Sequence, residues 1–179
     1  MKRTIEILIG LSLLVFLAIP LLIIAIAICA TSKGAPLYWS ERVGKNNKIF
    51  RMPKFRSMQI NTPELATHLL ENADSYVSPI GAFLRRTSLD ELPQLISVIK
   101  GDMSFVGPRP ALFNQNDLIE LRIHFGVDKL KPGITGWAQI NGRDQVSINE
   151  KVALDVEYMK KQSLWFDIKI SYITLIKTF

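Results

Sequence analysis

Two adjacent carboxylates, Asp90 and Glu91, stand within the run Arg85-Arg86-Thr87-Ser88-Leu89-Asp90-Glu91-Leu92-Pro93-Gln94-Leu95. Apolar residues then recur at Leu92, Leu95, Ile96 and Ile99, the spacing of one helix face, so the pair falls where a helix begins. Ser88, three residues before Glu91, fits a capping box, while Pro93 suits a helix that starts nearer Asp90. Either start leaves Asp90 in the first turn, where unpaired N–H groups stabilise a carboxylate and attract a phosphate. Taken alone, such a pair is most often ordinary helix-start charge. With Arg85 and Arg86 beside it and Arg109 further along, it has the parts for attack on phosphorus. The cations offset the charge of an anionic substrate, and a carboxylate is left to attack or to hold a metal.

Arg109 belongs to Gly101-Asp102-Met103-Ser104-Phe105-Val106-Gly107-Pro108-Arg109-Pro110. Proline fixes its own φ and keeps the preceding residue out of the helical region, so an Arg between two prolines is held extended. A held Arg loses less freedom on clamping a phosphate with its planar fork; simple loop stiffening is the competing reading. Lys54 and Arg56, on one face of an extended segment, either face phosphate or guard an exposed strand edge against aggregation. Lys131 to Asp144 packs a Pro-Gly turn and an Asn-Gly turn around a short strand, and its Trp137, Gln139 and Arg143 are placed to meet a base, a sugar or a diphosphate. A plain hairpin with one buried Trp explains the same residues.

The elements that must position these groups read as a mixed, helix-rich α/β domain. Leu37–Val43 and Lys48–Arg51, joined by Gly44-Lys45-Asn46-Asn47, predict a β-hairpin. A cap, a proline and an acid at Thr62-Pro63-Glu64 predict a helix to about Asn72, and a short helix after Ser78-Pro79 leads to Arg85. The helix carrying the carboxylates is expected to stop at Lys100-Gly101, and another is expected over Ala111–Phe125. Ser147 and Glu150 form a second capping box, opening a helix to about Lys161 with Asp155 and Tyr158 on one side. The last stretch, Ser163–Phe179, is apolar with sparse lysines and a Trp near one end; it reads either as lying in a membrane interface or as a core helix.

At 179 residues the chain suits one ordinary domain and an appendage. The appendage is the uncharged run Ile7–Ala30, long enough as a helix to cross a hydrocarbon layer of roughly 30 Å. Pro20 must kink it, with Ser12 placed to help satisfy freed backbone. Basic residues flank both ends, Lys2 and Arg3 before and Lys33 after, so charge chooses no orientation. A helix that bends at Pro20 and returns to its own side accounts for both features; a straight crossing stays open, and the apolar stretch is too long for a typical signal peptide. The domains are therefore read as 1–33, membrane-embedded, and 34–179, catalytic. Cys29, the only cysteine, cannot form an internal disulfide. A net charge of +6 suits anionic lipid or a polyanionic substrate. Nucleic acid is excluded as the reading, because the cations are dispersed and no aromatic-rich motif interleaves them.

Three runs, Ser88–Leu95, Lys100–Pro110 and Lys131–Arg143, together resemble the bacterial sugar transferase family, the small monotopic phosphoglycosyl transferases that begin glycan assembly on a lipid carrier. The resemblance covers the chain from the membrane segment to about Ile176. It implies that a UDP-sugar donates its phosphosugar to polyprenol phosphate (undecaprenyl phosphate), releasing UMP. It assigns Asp90 to attack on the β-phosphorus, forming a covalent phosphosugar intermediate, and Glu91 to binding Mg²⁺. It assigns Arg85 and Arg109 to neutralising phosphates and matches Lys54 to the family's lysine. It further implies a re-entrant helix broken at Pro20, a catalytic domain on the cytoplasmic face of the bacterial inner membrane with amphipathic helices at the lipid surface, and downstream glycosyltransferases as partners. Met52-Pro53 departs from the aromatic residue usual before the lysine and puts the strand there in question. The competing readings are a catalytically silent anchor that binds nucleotide sugars or glycosyltransferases, and a phosphatase using Asp90 with water as acceptor.

Overall fold

The computed structural model describes residues 2–62, 73–142 and 146–178. The helix expected after Thr62 lies outside these residues. Within them the chain is a mixed, helix-rich α/β domain with a short antiparallel hairpin, preceded by a bent pair of helices.

Helices α1 (Lys2–Phe16) and α2 (Ala18–Thr31) meet at 60°. The bend comes one turn before Pro20 and not at it. Proline lacks the N–H that would reach Phe16, and its ring crowds that same carbonyl, so the ladder gives way at Leu17. It resumes at once, with Leu21 N donating to Leu17 O at 2.9 Å. Neither helix alone is long and apolar enough to cross a membrane, but the pair together is. Val15, Phe16 and Ile19, around the bend, are more than 70% exposed. Both outer ends of the pair instead pack on the domain. Arg3 donates to the carbonyls of Val98 and Ile99 at 2.6 and 2.7 Å, Lys2 pairs with Asp167, and the buried Glu6 accepts from Ser104 Oγ. At the other end, fully buried Ile28 packs with Phe55 and Leu84.

Strands β1 (Leu37–Val43) and β2 (Ile49–Phe55) pair from Leu37↔Phe55 to Val43↔Ile49. Asn46 and Asn47 turn the chain with φ of 55° and 58°, a region asparagine tolerates. The second strand runs straight through Pro53. Gly44 N→Lys48 O and Arg56 N→Pro36 O mark bonded rungs at each end, so alternation puts Pro53, opposite Trp39, on a rung that needs no N–H.

Helix α3 (Gly81–Arg86) delivers the chain to Leu89–Gln94, a 3₁₀ turn, and then to α4 (Leu95–Lys100), which Gly101 ends at φ 100°. The carboxylate pair therefore sits in tight 3₁₀ geometry and not in the first α-turn expected. Pro93 cannot donate to Leu89, so α-type bonding begins only after it. Nor does Ser88 cap: its φ is 56° and its side chain makes no cap hydrogen bond.

The parallel strands β3 (Ser104–Val106) and β4 (Gly133–Thr135) follow. Helix α5 covers Asn116–His124, shorter than the Ala111–Phe125 expected. Residues before it are used elsewhere: Ala111 O accepts from Val43 N, and Leu112 bridges Arg42. Helix α6 (Trp137–Ile140) leads to α7 (Ile148–Lys161), whose Ser147–Glu150 capping box is fully formed. Tyr158 on α7 is buried with Val106, Ile140 and Ile170, and its hydroxyl donates to Asp167 at 2.7 Å. The final helix, α8 (Leu164–Thr178), buries Asp167 and Ile170 while leaving Trp165, Ile168, Tyr172 and Leu175 exposed. It is thus core on one side and exposed and apolar on the other.

Candidate active site

Strand alternation sends Tyr38, Ser40 and Arg42 of β1 to the same face as Lys54 of β2, because residues opposite each other on a ladder share a face. That face meets the 3₁₀ turn carrying Asp90 and Glu91. Lys54 Nζ donates to Glu91 Oε1 at 2.8 Å. Arg109 Nη2 reaches the same oxygen at 2.8 Å, while its Nη1 stands 3.5 Å from Oε2. Glu91 is thus gripped from two elements at once.

The loop that presents Arg109 is fixed along its backbone. Gly107 N donates to Thr135 O and Gly133 N to Pro108 O, both at 2.9 Å. Arg122 Nη1 holds the Arg109 carbonyl at 2.8 Å, and Arg42 Nη1 holds that of Pro110 at 3.2 Å. Arg122 is itself locked by Asp155, whose Oδ2 accepts at 2.7 and 3.0 Å in a buried pair joining α5 to α7. The chain also comes unusually close to itself here: a Cβ on Gly136 would lie 2.1 Å from Gly107 O.

The two carboxylates differ in character. Burial opposes the charge of Glu91, yet Arg109 and then Lys54 hold its carboxyl well below the usual range. Asp90, 9% exposed, is pushed the other way: burial raises its pKa, Lys54 opposes that, and the Glu91 charge adds to it. Among the described residues no side chain donates a hydrogen bond to Asp90. Burial also lowers the pKa of Lys54, with Glu91 acting against it. Neighbouring acids with environments that drive them apart are the usual preparation for separate roles.

Of the remaining residues singled out in sequence, Arg85 acts on Asp90 through its charge, favouring the ionised form. Arg56 lies apart, its Nη1 donating to Lys33 O at 3.0 Å. Gln139 Nε2 donates to Ile134 O at 2.8 Å, and its buried Oε1 has no hydrogen-bond partner among the described residues. Trp137 is engaged in packing: its Nε1 donates to Glu157 and its ring lies against Phe166 at 5.0 Å. Arg143 lies outside the described residues. Arg42 and Tyr38 were not anticipated; counting strand register back from Lys54 across the Gly44 turn would have found both.

Among the described residues, no group of three or more His, Cys, Asp or Glu is placed to hold a metal ion. Among the described residues Glu91 Oε2 carries only the 3.5 Å contact and has lone pairs to give. One carboxylate oxygen matches what Mg²⁺ takes from a protein when substrate phosphate and water complete its shell. The surrounding cations would repel a bare divalent ion, so the fit is to Mg²⁺ arriving with a diphosphate.

The family model described as bacterial sugar transferase matches residues 1–179. The UDP-glucose:undecaprenyl-phosphate glucose-1-phosphate transferase of Escherichia coli (strain K12) is 41% identical over 187 residues, covering 100% of this chain and 40% of that protein. The UDP-galactose-lipid carrier transferase of Erwinia amylovora is 39% identical, covering 98% of this chain and 39% of its own. The undecaprenyl-phosphate galactose phosphotransferase of Salmonella typhimurium is 36% identical, covering 97% and 39%. This chain thus spans about two fifths of the length of these relatives.

Proposed function

The chain belongs to the bacterial sugar transferase family, and from that premise we propose that it transfers a phosphosugar from a UDP-sugar to undecaprenyl phosphate through a covalent intermediate on Asp90. One observation carries the choice of nucleophile. Glu91 is committed to Lys54 and Arg109, whereas Asp90 accepts from no side chain among the described residues and is half-ringed by cations. An ionised carboxylate without hydrogen bonds to break is the better attacking group.

In the first step an Asp90 oxygen bonds to the β-phosphorus, the bond from that phosphorus to the bridging oxygen breaks, and UMP leaves with the electron pair. In the second an oxygen of undecaprenyl phosphate attacks the same phosphorus, and Asp90 departs as a carboxylate. Arg109 and Lys54 neutralise phosphate charge, and Arg85 keeps Asp90 ionised against its burial. Mg²⁺, held by Glu91, would neutralise the diphosphate. Splitting the transfer lets a water-soluble donor and a lipid acceptor use one site in turn.

The bent helix pair supports a re-entrant anchor. Charged Lys2 and Arg3 at one end and Ile28 near the other both fasten to the domain, while the apolar bend stands exposed. An anchor entering and leaving on one side keeps the site at the lipid surface, on the cytoplasmic face of the inner membrane, where nucleotide sugars are found. The exposed apolar side of α8 suits the same surface.

Incubating the purified protein with donor labelled in the β-phosphate, without acceptor, tests the reading. Label should remain on the protein, map to Asp90, and discharge on adding undecaprenyl phosphate. Asp90→Asn should carry no label and release no UMP. Wild-type turnover with no labelled protein at any time would overturn it.

A further inference from the structure

Among the described residues, Arg42 has no carboxylate in contact. Its Nε donates to Ser40 Oγ at 2.9 Å and its Nη1 to Pro110 O at 3.2 Å; both acceptors are neutral. Its Nη2 makes no hydrogen bond among the described residues. The charge it feels most is a like one, that of Arg109, with the more weakly felt Glu91 and Tyr38 acting the other way. Burial first and Arg109 second depress its pKa to about 10, far for a group that holds its proton so firmly.

A guanidinium is held there at a cost. The like charges of Arg42 and Arg109, both partly exposed, repel, and the nearby carboxylate is already taken by Lys54 and Arg109. Lys54, Arg42 and Arg109 all act on Glu91 through their charge. A gathering of cations attracts an anion, and the fork geometry of Arg42 favours a phosphoryl oxygen. Its bond to Pro110 ties it to the loop presenting Arg109, so both act on one ligand.

We infer that Arg42 is a further substrate-binding residue, whose Nη2 takes an oxygen of the donor's diphosphate beside Arg109. The donor is favoured over the lipid acceptor because Arg42 lies on the Glu91–Arg109 side, where the diphosphate is expected with its metal. This rests on the phosphosugar-transfer reading for the identity of the donor, but its test does not require turnover.

The test is binding of UDP with Mg²⁺ by calorimetry to the full chain in detergent, comparing wild type with Arg42→Gln and Arg42→Lys. Gln keeps a donor for Pro110 O and removes the charge. Loss of a charge-assisted hydrogen bond should weaken UDP about 10- to 100-fold, with a flatter salt dependence, and Lys should restore part of it. The melting temperature without ligand should not fall, since an unmatched cation has been removed, whereas the rise produced by UDP should shrink. Wild-type affinity in Arg42→Gln would overturn the inference. So would a lowered ligand-free melting temperature with unchanged UDP affinity, or an effect confined to the KM of undecaprenyl phosphate. Should Arg42→Gln not fold, the ¹⁵N side-chain resonance of Arg42 in the wild type, assigned with Arg42→Lys, must move on adding UDP; an unmoved resonance sinks the idea. If UDP binds as expected but no UMP is ever released from UDP-sugar, the transfer reading fails and the role of Arg42 survives.

Discussion

Replacing Arg122 with Met removes the cation from a pair in which Asp155 is almost wholly enclosed, its side chain 2% exposed. Both bonds to Asp155 Oδ2, at 2.7 and 3.0 Å, disappear, and so does the grip on the Arg109 carbonyl. Breaking a buried pair from one side costs about 3–5 kcal/mol, because the other charge is left without water or partner. For a chain of this size that corresponds to a fall in melting temperature of about 6–20 °C. The pH dependence has a definite sign. Burial already raises the Asp155 pKa against the pull of Arg122, so the folded value exceeds the unfolded one and the group favours the fold only while protonated. Without Arg122 it rises further. The deficit of the variant should therefore be larger at pH 7 than at pH 5. Urea unfolding followed by tryptophan fluorescence at both pH values measures it, and the double variant Arg122→Met/Asp155→Leu should recover most of the loss. A deficit below about 1 kcal/mol, or one equal at both pH values, refutes the account of this pair.

Other outcomes follow from the same geometry. The acid limb of kcat for UMP release should titrate above the ordinary Asp value, since burial raises the Asp90 pKa and only its ionised form attacks; a limb at or below that value contradicts the assignment. Glu91 should not contribute to this limb, because Arg109 and Lys54 keep it ionised through the range, and in Glu91→Gln the limb should persist while affinity for Mg²⁺ in the presence of UDP falls. Gly136→Ala, with its Cβ 2.1 Å from Gly107 O, must push β4 and the Arg109 loop apart. It should lose about 1–3 kcal/mol of stability and lower activity more than Gly126→Ala, whose cost is the strain of its φ of 75° alone, with no atoms within 4 Å.

Much of this candidate site is legible in the chain itself. Arg109 between two prolines announces an extended presentation, and the 3.6-residue spacing after Asp90 announces a helix beneath the carboxylates. What stayed hidden depended on contacts distant in sequence. Nothing near Ser88 says that Glu91 will prefer Lys54 and Arg109 to a capping role, because that choice is made by a strand 37 residues away. Arg42 reads as one more strand cation until the register Arg42↔Phe50 fixes its face. The start of α5 slipped from Ala111 to Asn116 for the same reason: the first β-strand claimed the intervening carbonyl. Pro20 did announce a break, and covalent geometry explains why it comes a turn earlier, at Leu17.

The pinned backbone from Gly107 to Pro110 limits how the site moves. Four hydrogen bonds from three different elements, β4, α5 and β1, anchor it, so Arg109 does not ride on a lid. Exchanging Glu91 for an incoming phosphate is then a change of side-chain torsion, a matter of picoseconds to nanoseconds, and not a loop closure a thousand or more times slower. In the proposed transfer, this arginine therefore adds no gating step to bond making at phosphorus or to the exchange of ligands.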